Sequence, residues 1–106
     1  MWKDVFNIGE LKTGELKDYT VDGIPLLIAN SDGKIYITAL YCTHEATALS
    51  EGFIEKCNVI CPNHYAKFNL KDGSVVSGPE DDDTPIKALK TYPSKVENGM
   101  IMVDLP

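Results

Sequence analysis

Residues 24–40 read Ile-Pro-Leu-Leu-Ile-Ala-Asn-Ser-Asp-Gly-Lys-Ile-Tyr-Ile-Thr-Ala-Leu, and this stretch decides the fold class. Two β-rich runs, Ile24–Ala29 and Lys34–Leu40, flank Asn30-Ser31-Asp32-Gly33. Asn, Asp and Gly tolerate the positive φ of a tight hairpin, so the two runs are expected to pair antiparallel. Along the second run Ile35, Ile37 and Ala39 alternate with Tyr36, Thr38 and Leu40, which makes both faces largely apolar. A strand covered on both sides fits that pattern.

The flanking sequence continues in the same way. Lys3–Ile8 and Leu16–Val21 are β-rich, and Asn58–Cys61 and Lys67–Leu70 are short apolar runs. Lys71-Asp72-Gly73-Ser74 is a turn, and Val96-Glu97-Asn98-Gly99-Met100 is a last hairpin leading into Ile101–Val103. No window shows sustained helical periodicity; Glu45–Ser50 is a short helical candidate at best. The expected fold is all-β, an antiparallel sandwich or small barrel, with residues 41–68 as a loop-rich insertion. Glu80-Asp81-Asp82-Asp83, between Pro79 and Pro85, reads as a solvated loop, and Trp2 as a residue packed on a sheet face.

A chain of 106 residues is expected to form one domain, residues 1–106, with a modest core. Ten basic residues against sixteen acidic give a formal net charge of −6. That balance argues against nucleic acid or an anionic membrane as partner, and suits docking to basic faces of other proteins. No run has the length of a membrane span, and Met1–Phe6 lacks a signal peptide's apolar core, so a cytoplasmic monomer is expected. Three cysteines cannot make a disulfide framework, and in a reducing compartment an odd count points to metal or redox use. The two histidines, His44 and His64, each lie within three residues of a cysteine.

Cys42-Thr43-His44 and Cys61-Pro62-Asn63-His64 form Cys-x-His, 16 residues, then Cys-x2-His. Thiolate and imidazole both bind borderline and soft transition metals. Residues two apart in extended chain point the same way, so Cys42 and His44 can face one site. Pro62 fixes φ after Cys61 and favours a turn that brings His64 round. The donor set admits a closed Cys2His2 zinc site or a [2Fe–2S] centre with Cys on one iron and His on the other. Zinc modules usually pair cysteines on one arm and histidines on the other, whereas here each arm is mixed. Mixed arms suit a two-metal centre, because each loop must reach both metals.

With its flanks this pattern resembles the Rieske ferredoxin family. The residues that carry the likeness are Cys42-Thr43-His44, Leu49-Ser50-Glu51-Gly52, Val59-Ile60-Cys61-Pro62-Asn63-His64 and Phe68. Asp72-Gly73, Gly78-Pro79, Tyr92-Pro93 and the Asn-Gly hairpin follow, so the likeness spans roughly residues 3–104. It implies an antiparallel β-sandwich base carrying a small loop-rich cluster-binding subdomain, here about residues 41–68. It implies one [2Fe–2S] cluster on Cys42, His44, Cys61 and His64, with Gly78-Pro79 in a third loop that shields it. The implied role is that of an electron carrier, not an enzyme, between a reductase (a flavoprotein) and an acceptor such as a terminal oxygenase. A subunit held permanently in an oxygenase or reductase complex, and a zinc-stabilised binding module, are the alternatives.

The chain departs from the family pattern in places. Tyr65 stands where the family usually has Gly, whose freedom to take positive φ Tyr resists. Thr47 and Asn63 occupy the positions of the loop-to-loop disulfide of high-potential members, so that bridge cannot form. Ala66 and Phe68 stand where high-potential members have a Ser and a Tyr that donate hydrogen bonds to the cluster and cysteine sulfur. The likeness therefore implies the low-potential, soluble branch. Cys57 matches no ligand position and reads as a plain strand cysteine. Tyr65 reads equally as a shield of the cluster edge and as an ordinary loop aromatic.

Overall fold

The computed structural model describes residues 1–43, 46–80 and 85–106; His44, Glu45 and positions 81–84 lie outside them. β3 (Ile24–Ser31) and β4 (Lys34–Ala39) form the expected hairpin, with Ser31 opposite Lys34. The turn is shorter than the sequence suggests: only Asp32 and Gly33 leave the strands, at φ 53° and 87°. Asn30 stays buried in β3 because both ends of its amide are satisfied. Its Nδ2 donates to the Leu11 carbonyl at 3.0 Å, and its Oδ1 accepts from the Gly33 N–H at 2.8 Å.

β2 (Leu16–Val21) joins the other edge of β3 through Asp22-Gly23, at φ 51° and 78°. β9 (Thr91–Tyr92) pairs with β4 and completes the sheet order β2-β3-β4-β9. A second sheet holds β1 (Trp2–Asn7), β10 (Ser94–Glu97) and β11 (Met100–Asp104), in the order β1-β11-β10. Its hairpin turns at Asn98-Gly99, φ 51° and 78°, as the sequence predicts. The third sheet contains β5 (Phe53–Glu55), β6 (Asn58–Ile60), β7 (Lys67–Asn69) and β8 (Val75–Ser77), paired in chain order. Every pairing is antiparallel. Helix among the described residues is limited to 3-10 turns at Ile8–Glu10 and Leu49–Glu51, so the helical candidate yields one turn at its C-terminal side.

The two apolar faces of β3 and β4 now have occupants. Leu26, Ile28, Ile35 and Ile37 pack with Val5, Phe6, Ile101 and Val103 in a basal core beneath β1 and β11. Leu27, Ala29 and Leu40 face a second core with Leu49, Val59, Phe68, Leu70 and Leu89. The two central strands, β3 and β4, are therefore covered on both faces, by the first sandwich partner and by the third sheet. No helix among the described residues is long and apolar enough to cross a membrane.

Candidate metal centre

Cys42 and Cys61 both line the second core, 4% and 1% exposed, and each opens a tight loop. The first loop leaves β4 through Tyr41, which bridges back to Ala48. It is closed by the Cys42 N–H donating to the Thr47 carbonyl at 2.9 Å. The second loop joins β6 to β7, with Ile60 opposite Lys67, and is closed by the Cys61 N–H donating to the Ala66 carbonyl at 2.9 Å. In each loop the cysteine N–H reaches the carbonyl five residues on. Sequence reasoning located both cysteines but could not show this equivalence, since it depends on Tyr41–Ala48 and Ile60–Lys67 closing on the same spacing.

Neighbouring segments brace both loops. Thr43 Oγ1 donates to the Lys87 carbonyl at 2.5 Å, tying the first loop to the strand-free segment before β9. The Glu80 N–H donates to the His64 carbonyl at 2.8 Å, so the stretch after Gly78-Pro79 lies against the second loop. Pro79 itself is buried. Gly52, just after the 3-10 turn, approaches β6 so closely that a Cβ there would lie 2.0 Å from the Ile60 carbonyl oxygen. Only glycine lets the two loops share that wall.

The second loop carries unusual backbone. His64 has φ 132° and Tyr65 φ 62°. A left-handed residue with a Cβ costs about 1–2 kcal/mol. Tyr65 thus adopts the conformation the sequence suggests it would resist. The bonds that hold it there are the Cys61–Ala66 closure, the Glu80–His64 bond and the Tyr65 N–H donating to the Cys61 carbonyl at 3.1 Å. His64 is half-buried and, with Pro62, Asn63, Tyr65 and Glu80, lines a surface cleft of ≈ 330 Å³.

Cys57 is not a strand residue. With Lys56 it makes the two-residue turn between β5 and β6, at φ 51° and 63°, and Glu55 pairs with Asn58. The sequence reading of Cys57 as a strand cysteine missed the turn, because neither Lys nor Cys signals positive φ. Cys57 packs against the second core, where its thiol meets the Tyr36 hydroxyl. Burial, then this contact, pushes the Tyr36 phenol above its usual value.

The structure thus brings Cys42 and Cys61 to one buried layer and sets His64 at its half-exposed edge. The sequence-predicted His44 lies outside the described residues. Among the described residues no group of three or more His, Cys, Asp or Glu side chains gathers to hold one metal ion. Two buried thiols, one on each matched loop, and an imidazole on the second loop are sulfur and nitrogen donors of the kind that bind borderline and soft transition metals.

Comparison with known proteins covers the chain as a whole. A family model described as the Rieske [2Fe-2S] domain matches residues 1–93. The ferredoxin component of the naphthalene 1,2-dioxygenase system of Pseudomonas aeruginosa is 34% identical over 104 residues, 98% of this chain and 95% of that protein. The ferredoxin of Sphingomonas yanoikuyae B1 superposes with a TM-score of 0.86 at 24% identity, over 100% of both chains. A chain from the complex of reduced oxygenase and oxidized ferredoxin in carbazole 1,9a-dioxygenase gives 0.85 at 26% identity, covering 96% of this chain and 91% of that one.

Proposed function

The chain belongs to the Rieske [2Fe-2S] domain family, and from that premise we propose that it is an electron carrier passing single electrons from a reductase to a terminal oxygenase. Relatives named as ferredoxin components of dioxygenase systems support the role of carrier rather than enzyme. The family implies a [2Fe–2S] cluster. On this reading Cys42 and Cys61 hold one iron, and His44 and His64 the other. The observation that carries the assignment is the pair of matched loops, each headed by a buried cysteine over the same core layer.

When bound, the cluster supplies a one-electron couple whose potential is raised by imidazole in place of thiolate. The protein's own residues set its surroundings. Leu40, Leu49 and Phe68 pack beside the two cysteines and exclude water from the sulfur side. His64, half-buried at a surface cleft, lies where a partner can approach closely. Residues 1–106 work as one domain on this reading, with 41–68 as its cluster-binding part. The working compartment is the cytoplasm, where thiols stay reduced.

The test is chemical and kinetic. Purified protein should carry about two iron and two acid-labile sulfide per chain and take up one electron on reductive titration. A flavoprotein reductase should reduce it and an oxygenase reoxidise it, more slowly as salt rises, because the chain carries a formal charge of −6. Stoichiometric zinc in colourless protein, persisting after anaerobic reconstitution, would contradict the reading. Co-purification as a fixed subunit of an oxygenase would replace the shuttle with a bound carrier.

A further inference from the structure

The cleft beside His64 contains two groups that holding a cluster does not require. Tyr65 is 48% exposed although it follows directly on His64. Glu80, also exposed, lines the same cleft and is anchored by its backbone N–H to the His64 carbonyl. Pro62 and Asn63 complete the described lining, which contains no lysine or arginine. The cleft thus has an aromatic residue and a carboxylate residue in one lining, beside the residue where electrons would leave.

We propose that this cleft receives a cationic side chain, an arginine or lysine, from the surface of the redox partner. Tyr65 supplies the aromatic wall and Glu80 the counter-charge. The identity of the partner rests on the electron-carrier reading above; the chemistry of the cleft does not. A ring face attracts a guanidinium or ammonium group, and a carboxylate binds it with a charge-assisted hydrogen bond. Arginine suits the pair best, because its plane can stack on the ring while its edge meets the carboxylate. A volume of ≈ 330 Å³ accommodates such a head group. The chain's net charge of −6 favours the approach of a basic face. Glycine at position 65 would hold the same backbone without strain and would leave the cleft without its wall. Tyr65 is on this account a specificity-determining residue, not a cluster ligand.

Two measurements test the proposal. In the first, cluster-loaded protein donates electrons to the terminal oxygenase of a naphthalene 1,2-dioxygenase system. Tyr65→Leu and Glu80→Gln should each raise the apparent KM for this protein roughly five- to tenfold, with kcat, visible spectrum and midpoint potential unchanged. Tyr65→Phe should restore the affinity lost in Tyr65→Leu, and Glu80→Gln should flatten the salt dependence. If the wild type turns over and these variants match it, the proposal falls while the carrier role stands. If the wild type delivers no electrons to any oxygenase, the carrier role falls, and the second measurement decides the proposal alone. That measurement titrates N-acetyl-arginine amide, with N-acetyl-norleucine amide as control, into oxidised protein labelled with 3-fluorotyrosine. The resonance missing from Tyr65→Phe should shift selectively and saturably in ¹⁹F NMR, and the shift should vanish in Glu80→Gln. No shift at that resonance, or an equal shift in Glu80→Gln, overturns it.

Discussion

The basal core and the second core share the central sheet yet are built in different ways. The basal core lies between strands of mostly five to eight residues, joined by Asp22-Gly23, Asp32-Gly33 and Asn98-Gly99. Each of those turns has residue types that accept positive φ at little cost. The second core is closed by strands of three residues and by loops in which Lys56, Cys57, His64 and Tyr65 take positive φ without being glycine. Gly52 is fixed by contact, with a Cβ 2.0 Å from the Ile60 carbonyl oxygen, and Gly73 by both contact and backbone, with a Cβ 2.1 Å from the Leu89 carbonyl oxygen and φ 77°. Local propensity supports the first region, whereas tertiary contact and, on the proposed function, a bound cluster support the second.

The sharpest way to break this contrast is to remove a thiol. Cys42→Ser and Cys61→Ser should each abolish cluster content. The third sheet should then lose amide-exchange protection while β1, β3, β4 and β11 keep theirs. Uniform loss of protection across both cores would show that the regions are one cooperative unit. Gly52→Ala comes next. Its Cβ would press on the β6 backbone, so a loss of about 2–4 kcal/mol in unfolding free energy is expected, whereas Gly78→Ala, with open space around it and no positive φ, should cost less than half as much. Equal losses in the two variants would mean that the approach to Ile60 is readily relieved.

A third prediction concerns the redox midpoint. Ala66 and Phe68 are both buried in the same core as Cys61 and carry no hydroxyl. A donor to a charged acceptor is worth roughly 1.5–3 kcal/mol, of which only the difference between redox states counts. About 1.4 kcal/mol corresponds to roughly 59 mV for one electron. The wild-type midpoint should therefore lie around −150 mV, and Ala66→Ser with Phe68→Tyr should raise it by ~100 mV. A wild-type value above about +100 mV would rule out the missing donors as its cause. Tyr65→Gly should relieve backbone strain and stabilise the protein by about 1 kcal/mol in denaturant titration, and a loss of stability would mean that the ring packs in the native state.

The smallest effect belongs to the turn before β8. Ser74 donates from its N–H at 2.9 Å and from its hydroxyl at 2.7 Å to Asp72 Oδ1. These bonds, the hydroxyl's first, hold the Asp72 carboxyl below the usual carboxylate range. A depressed folded value stabilises the native state above the unfolded pKa and ceases to do so as pH falls through the folded one. Ser74→Ala should thus slightly reduce stability at neutral pH and lose its difference from wild type in strong acid. A difference that persists in acid would point to packing instead.

The sequence by itself determined what rests on local chemistry: the all-β class, the central hairpin, and the Asn98-Gly99 turn. It also singled out Cys42 and Cys61, because their spacing to histidine is chemical information in one dimension. It missed the Lys56-Cys57 turn, β5, β8 and β9, and it began the central turn two residues too early. Those features depend on partners far along the chain, such as Leu11 for Asn30 and Leu70, whose N–H donates to the Cys57 carbonyl at 3.0 Å. Tertiary structure alone decided that both cysteine loops close on the same five-residue span, that Tyr65 sits at positive φ, and that Glu80 joins it in lining one cleft. Each is a matter of which carbonyl lies within reach of which N–H, and no run of residue types records that.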